Sequence, residues 1–372
     1  MRVSMPLMPE LKTESEIATM RWMGRNISLP IPKVLAFQSD CQNPTGFEWI
    51  LMEKMSGVML DEAWWKIDIS AKENLARHLA RYLARHLARL CSELFDVQME
   101  LIGSPFEIHD PDRPMTYLGL SVSVDFITRN AACIADRGPF ASPTEWVRTM
   151  FDAAEDDCRY RLDLAKKAEA MKANARNNSG QGDIDTASDA NDITGDDKYL
   201  DEDPEDLEIA LSILTRLRSH ITNFFPEDEI TEPTMLVHHD PHRQNILVDE
   251  SGQLTAILDW ECVSTMPLSV ACNFPKVPTT KPRMEDWRRG EPDEVADRHR
   301  QELQLWELAG LRKVFLAEMR KLQPAWVDIH QKGERQREFM NCLASYDDLW
   351  APQEIRKWLK ALESGAPDAP TL

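Results

Sequence analysis

Two spacings of apolar residues run along the chain and predict a short mixed segment followed by a mostly helical remainder. A first helix is expected from Thr13 to about Met23. Thr13-Glu14-Ser15-Glu16 reads there as a capping box that opens a helix ending before Pro30. Two strand-like runs follow, Pro32–Phe37 and Phe47–Glu53, separated by the Asn-Pro and Gly turn signals of Ser39–Gly46, and together they predict a hairpin. Ala71–Gln98 predicts a long helix in which Leu, Ala and Arg each recur at i, i+4 from Leu75 onward. Its leucines form a core stripe, and Arg77, Arg81, Arg85 and Arg89 a solvated one that could dock an acidic segment. Helical spacing returns over Thr144–Lys172, Asp206–Phe224, Glu294–Met319 and Arg335–Leu362.

Charge changes this picture in one place. The 372 residues hold 43 Lys plus Arg against 63 Asp plus Glu, a net charge of −20, which argues against a general nucleic-acid binder. Half of that charge lies between Asp183 and Asp206, where eleven acidic residues face the single Lys198. With the preceding NARNNSGQG run, this stretch is too poor in large apolar residues to offset the entropy of ordering, so residues 174–206 predict an acidic, disordered insertion between two helices. The seven cysteines are scattered with no C-x-x-C pair, which fits a reducing compartment. No long apolar run or signal-like h-region is present, so the expectation is a cytoplasmic chain without a membrane partner.

The segment Met235–Glu261 carries the chemistry. Ile246–Val248 and Leu254–Leu258 bracket the turn residues Asp249–Gln253 and predict a hairpin. Residues just outside its two strands meet at the open end, which brings Asn245 and Asp259 together as an amide oxygen and a carboxylate, a hard-oxygen pocket suited to Mg²⁺. Asp240, on the loop leading into the first strand, can face the same pocket.

His238-x-Asp240-x-x-x-x-Asn245, a hairpin and then Asp259-Trp260 resemble the catalytic segment of the aminoglycoside phosphotransferase and choline-kinase-like family. The resemblance extends over Lys12–Trp64 and much of the second half. It implies an α+β, protein-kinase-like two-lobed fold, with residues 1–60 as a truncated small mixed N-lobe. Residues 61–372 would then form a large, mostly helical C-lobe with its catalytic loop at 236–261. By the same likeness Asp240 receives or orients the proton of a substrate hydroxyl, and Asn245 and Asp259 hold Mg²⁺ against the phosphates of ATP. His238 supports the loop. GFEWILMEKMSG resembles the hinge that holds adenine, with backbone groups of Glu53 and Met55 as contacts. The expected acceptor is a small hydroxylated metabolite, with no nucleic-acid partner.

The likeness has departures. No Gly-rich loop precedes Arg2, whose Arg2-Val3-Ser4 resembles the end of the phosphate-gripping strand. Arg2 then takes the basic position with Glu16 as its partner, although Glu16 equally serves its own capping box. Two explanations stand for the missing loop: a gene model that begins late, or an impaired pseudokinase retained as a binding protein. Pro241 follows Asp240 where an aliphatic residue is usual and removes a backbone N–H. A rival reading takes His238, His239, Asp240 and His242 as a zinc or di-metal cluster, for which His299 and His330 offer no supporting motif.

Overall fold

The structure, a computed structural model, describes residues 1–5, 7–65, 84–108, 115–127, 136–178, 202–227, 232–241, 244–250, 253–275, 309–348 and 351–365. In chain order these form β1 (Arg2–Val3), α1 (Leu11–Asn26), β2 (Val34–Gln38), β3 (Trp49–Met52), β4 (Val58–Met59) and α2 (Leu60–Trp65). A helix over 84–96 (α3) follows, then β5 (Ser104–Ile108), β6 (Met115–Gly119), α4 (Val124–Ile127), α5 (Pro143–Asn178), α6 (Pro204–Arg218) and α7 (Ile221–Phe224). Next come β7 (Thr234–Val237), β8 (Ile246–Val248), β9 (Leu254–Ile257), β10 (Ser264–Pro267) and α8 (Leu268–Ala271). A helix over 309–322 (α9) leads to α10 (Pro324–Lys332), α11 (Glu334–Ala344) and α12 (Ala351–Glu363). The class is α+β, as expected, with small antiparallel sheets and a helical majority.

The chain forms two compact units. One gathers Met1–Val124, Gly138–Ser142 and Thr231–Glu334; the other gathers Asp125–Arg137, Pro143–Ile230 and Arg335–Leu372. Every described residue of the predicted site lies in the first unit. Its grouping does not break at residue 60, because β4 pairs with β8 through Val58↔Val248 and Met59↔Leu247. That pairing sets the run leaving β3 into one sheet, of order β4-β8-β9, with the predicted catalytic hairpin. Gly57 makes the approach possible: its φ is +107°, and a Cβ there would stand 2.4 Å from Thr255 Oγ1 and 2.7 Å from the Val248 carbonyl.

The N-terminal sheet has the order β1-β3-β2, with Arg2 opposite Ile50 and Phe37 opposite Ile50 on the other side. Paired residues share a face, so Arg2, Phe37 and the fully buried Ile50 point the same way. α1 is buried round most of its circumference, including Lys12, Thr13, Ser15, Glu16 and Thr19. A helix so enclosed needs partners for its polar side chains.

Here the predicted capping box is corrected. α1 starts at Leu11, no side chain of Glu10 caps it, and Thr13 and Glu16 lie inside the helix. Glu48, buried on the approach to β3, takes over the task from 38 residues away: Oε1 accepts the Glu10 N–H at 2.8 Å, and Oε2 accepts the Thr13 hydroxyl at 2.5 Å. A carboxylate at a helix N-terminus also meets the positive end of the helix dipole.

The insertion's expected ends are corrected too. Residues 174–178 continue α5, and Asp203 caps α6 by accepting the Glu205 N–H, so Pro204–Asp206 are helical. Residues 179–201 of the predicted insertion lie outside the described residues, as do Arg77 and Arg81 of the arginine stripe. Arg85 pairs with Glu318 of α9 at 3.4 Å, while Leu87 is buried as predicted. In the second unit Phe224 stacks on Phe339 at 4.7 Å, and Arg161 draws together Asp157, Glu202 and Asp347. The cysteines of the described residues are free, and no helix among those residues is long and apolar enough to cross a membrane.

Candidate active site

The predicted hairpin forms as β8–β9, with Ile246 opposite Ile257 and Leu247 opposite Ala256. One further backbone bond, Leu258 N–H to the Asn245 carbonyl at 2.7 Å, extends the ladder to its open end. Asn245 is therefore fixed opposite Leu258, and Asp259 follows directly with φ +62°. That left-handed backbone is costly for a non-glycine residue and turns the chain sharply after the strand.

Trp260 anchors the turn. It is 1 % exposed, and its indole N–H donates to the Ile257 carbonyl at 2.9 Å. Burying a side chain of this size is worth about 3 kcal/mol or less. Its ring meets the His238 ring edge-on at 4.6 Å.

His238 ties the loop to the hairpin. Its Nδ1 accepts the Asp240 N–H at 3.2 Å, which leaves the ring proton on Nε2 to donate to the Leu258 carbonyl at 3.1 Å. The Asn245 amide donates to the Asp240 carbonyl at 3.0 Å. Asp240 is thus pinned through its backbone at both N–H and C=O while the residue itself is exposed. The amide orientation that makes this bond leaves Asn245 Oδ1 as an acceptor for something else.

Arg2 reaches this end of the hairpin from β1. Its Nη1 lies 2.6 Å from Glu16 Oε1 and 2.8 Å from Asp259 Oδ1, and its Nη2 pairs with Glu261. Lys12, almost fully buried, holds the same Glu261 oxygen from α1 at 2.6 Å. Glu261 and Lys12 are additions that sequence reasoning missed. The signal available for Glu261 is the alternation Asp259-Trp260-Glu261, in which a buried aromatic separates two carboxylates.

The charges act on one another. Burial pushes the Glu16 carboxyl up to about 7, although Arg2 pulls the other way. Burial also raises Asp259, opposed by Arg2 and reinforced by Glu261 and Asp240. Glu261 is the reverse case: burial would raise it, but Lys12 and Arg2 more than offset this and hold it low. Burial alone would lower Arg2, but Glu16, Asp259 and Glu261 together outweigh it and hold the guanidinium above its ordinary value.

These donors suit a hard divalent cation. Asn245 offers an amide oxygen and Asp259 a carboxylate, and the Asp240 charge is felt at Asp259. Among the described residues, Arg2 and Lys12 are the cations paired with Glu16, Asp259 and Glu261. A zinc cluster has less to recommend it. His238 uses both ring nitrogens in hydrogen bonds, and His239 Nε2 bonds with the Ser264 hydroxyl at 3.1 Å. His242 and His299 lie outside the described residues, and His330 Nδ1 faces the Cys272 carbonyl at 2.8 Å. Among the described residues no three His, Cys, Asp or Glu side chains group as metal ligands.

At the predicted hinge, the Glu53 N–H donates to the Lys33 carbonyl at 2.8 Å. Glu53 is exposed and Met55 half-buried, both on the run between β3 and β4. The β4–β8 pairing carries that run to the β8–β9 hairpin.

Comparison with known proteins gives this arrangement a context. Residues 5–270 match the family model described as "Phosphotransferase enzyme family". A protein of Ampulloclitocybe clavipes, "Clavilactone A biosynthesis cluster protein Y", is 26% identical over 270 residues, covering 71% of this chain and 52% of that protein. A subtelomeric hrmA-associated cluster protein of Aspergillus fumigatus is 42% identical over 52 residues, 14% of this chain and 10% of that protein. The chain thus spans about half the length of the first of these relatives, and much less of the second. A solved structure, a thermostable mutant of aminoglycoside phosphotransferase APH(4)-Ia in its apo form, aligns over 95% of this chain and 78% of its own. That alignment has 14% identity and a TM-score of 0.36.

Proposed function

The chain belongs to this phosphotransferase family, and from that premise we propose that it is an ATP- and Mg²⁺-dependent phosphotransferase acting on a hydroxyl of a small molecule. The observation that carries the reading is the double pinning of Asp240, whose N–H is held by His238 and whose carbonyl is held by the Asn245 amide. Both bonds are made through the backbone of Asp240, which supports a role for its exposed side chain at this loop.

Each residue then has a task. Asp240 orients the acceptor hydroxyl and takes its proton as the oxygen attacks the terminal phosphorus of ATP, whose bond to the bridging oxygen breaks to release ADP. Asn245 Oδ1 and the Asp259 carboxylate are the groups that would hold Mg²⁺, which when bound supplies charge neutralisation at the phosphates. Arg2 faces the phosphates from β1, oriented by Glu16. Backbone groups at Glu53 and Met55 serve the adenine. His238 positions the loop. Little covalent chemistry is asked of the protein; placement and charge do most of the work.

The acceptor is proposed as a small hydroxylated metabolite. The biosynthesis-cluster name of the A. clavipes relative suits such a substrate. The test is γ-phosphate transfer from labelled ATP to a panel of small alcohols, with Asp240→Asn alongside. The expected result is transfer to at least one alcohol, with a loss of about 10²-fold or more in the variant. Equal transfer by the variant would remove Asp240 from its role.

One observation favours a second reading, that of an impaired, non-catalytic binding protein: Arg2 already occupies the Asp259 carboxylate that a metal would use. That reading requires no transfer to any alcohol and no effect of Mg²⁺ on nucleotide binding.

A further inference from the structure

Arg2 is fixed through two nitrogens, and the two fixations differ in kind. Nη1 is shared between Glu16 and Asp259, the second of which would be given over to a metal under the proposed function. Among the described residues, Nη2 is held by Glu261. A planar guanidinium anchored at one nitrogen can swivel about it, whereas anchoring at two sets the direction of its remaining N–H groups.

Glu261 is itself firmly placed. Lys12 holds its carboxylate at 2.6 Å from a nearly buried position on α1, and buried Trp260 fixes the chain one residue earlier. The turn is bounded by left-handed backbone at Asp259, φ +62°, and Cys262, φ +59°. The same turn that aims Asp259 at one guanidinium nitrogen therefore aims Glu261 at the other.

We propose that Glu261 is a positioning residue: braced by Lys12, it keeps the Arg2 guanidinium oriented towards the nucleotide phosphates when Asp259 is engaged elsewhere. The inference rests on the proposed function, in which Arg2 addresses those phosphates. It makes a prediction opposite in sign to simple electrostatics. Removing a negative charge near the phosphate site should by itself tighten nucleotide binding; removing an orienting group should weaken it.

The experiment is calorimetric titration with AMP-PNP and, separately, adenosine, both at saturating MgCl₂, on the wild type, Glu261→Gln, Arg2→Lys and the double variant. Glutamine is isosteric with Glu261, and adenosine binding serves as the check that the nucleoside site is intact. The expected result is AMP-PNP binding weaker by about tenfold in E261Q with adenosine unchanged, but a further loss under about twofold when E261Q is added to R2K. Lysine has no fork to orient, so the two effects should not add.

Unchanged or tighter AMP-PNP binding in E261Q would overturn the proposal, as would a parallel loss of adenosine binding, or E261Q costing as much in the R2K background as in the wild type. A wild type that binds neither ligand would instead overturn the proposed function, and the inference with it.

Discussion

The Arg2 guanidinium lies 2.8 Å from the Asp259 carboxylate, joining residues 257 positions apart in the chain. Asp259 therefore has an internal counter-ion, and any metal that uses this carboxylate competes with it. Arg2→Gln should bind Mn²⁺ alone, without nucleotide, more tightly than the wild type by about fivefold. Electron paramagnetic resonance titration of free Mn²⁺ measures this. Weaker Mn²⁺ binding in the variant would mean that Arg2 supports the metal site rather than competing for it.

Glu16 gives the chain a pH dependence of definite sign. Burial raises its carboxyl from 4.5 to about 7, with Arg2 only partly opposing. Across that interval the folded chain keeps a proton that the unfolded chain has released, so the stability due to this group is full below 4.5 and is lost as pH rises towards 7. In urea unfolding at about pH 5 and about pH 7, the wild type should lose more stability on going up than Glu16→Gln, which cannot titrate. Parallel behaviour of the two proteins would refute the assignment.

Glu48 replaces a local cap with a distant one. Because it satisfies the Glu10 N–H at 2.8 Å and the Thr13 hydroxyl at 2.5 Å from a buried position, Glu48→Ala should cost about 1–2 kcal/mol in urea unfolding. Glu48→Gln, which keeps one acceptor oxygen, should cost less.

Gly57 lets the run between β3 and β4 lie against the β8–β9 hairpin. Alanine there meets both a φ of +107° and the Val248 carbonyl at 2.7 Å. Gly57→Ala should lower stability by about 2 kcal/mol or more. It should also weaken AMP-PNP binding, because the strain falls on the segment between Glu53 and β8.

The course from sequence to site is readable where the information is local. Apolar runs and the turn residues between them place β8, β9 and Asn245 within a residue of their observed positions. The short Arg2-Val3 run forms an edge strand, and Arg2 lies against Glu16. What is not readable depends on the packing of distant segments. Thr13 and Glu16 have the spacing of a capping box, but enclosure of α1 draws them to Glu48 and Arg2 instead. Lys12 and Glu261 are 249 residues apart, and only the fold brings their charges together. The ends of the acidic insertion escape the sequence for a related reason. Asn-rich and Asp-rich residues, weak helix formers alone, are carried along as extensions of α5 and α6.

The central claim, a metal-assisted phosphotransfer site built from Asp240, Asn245 and Asp259, is tested most directly by AMP-PNP affinity with and without MgCl₂, in the wild type and in Asp259→Asn. The wild type should bind at least about tenfold more tightly with Mg²⁺, and the variant should lose that difference. Nucleotide binding that ignores Mg²⁺ in the wild type, or a Mg²⁺ effect that survives in Asp259→Asn, would contradict it.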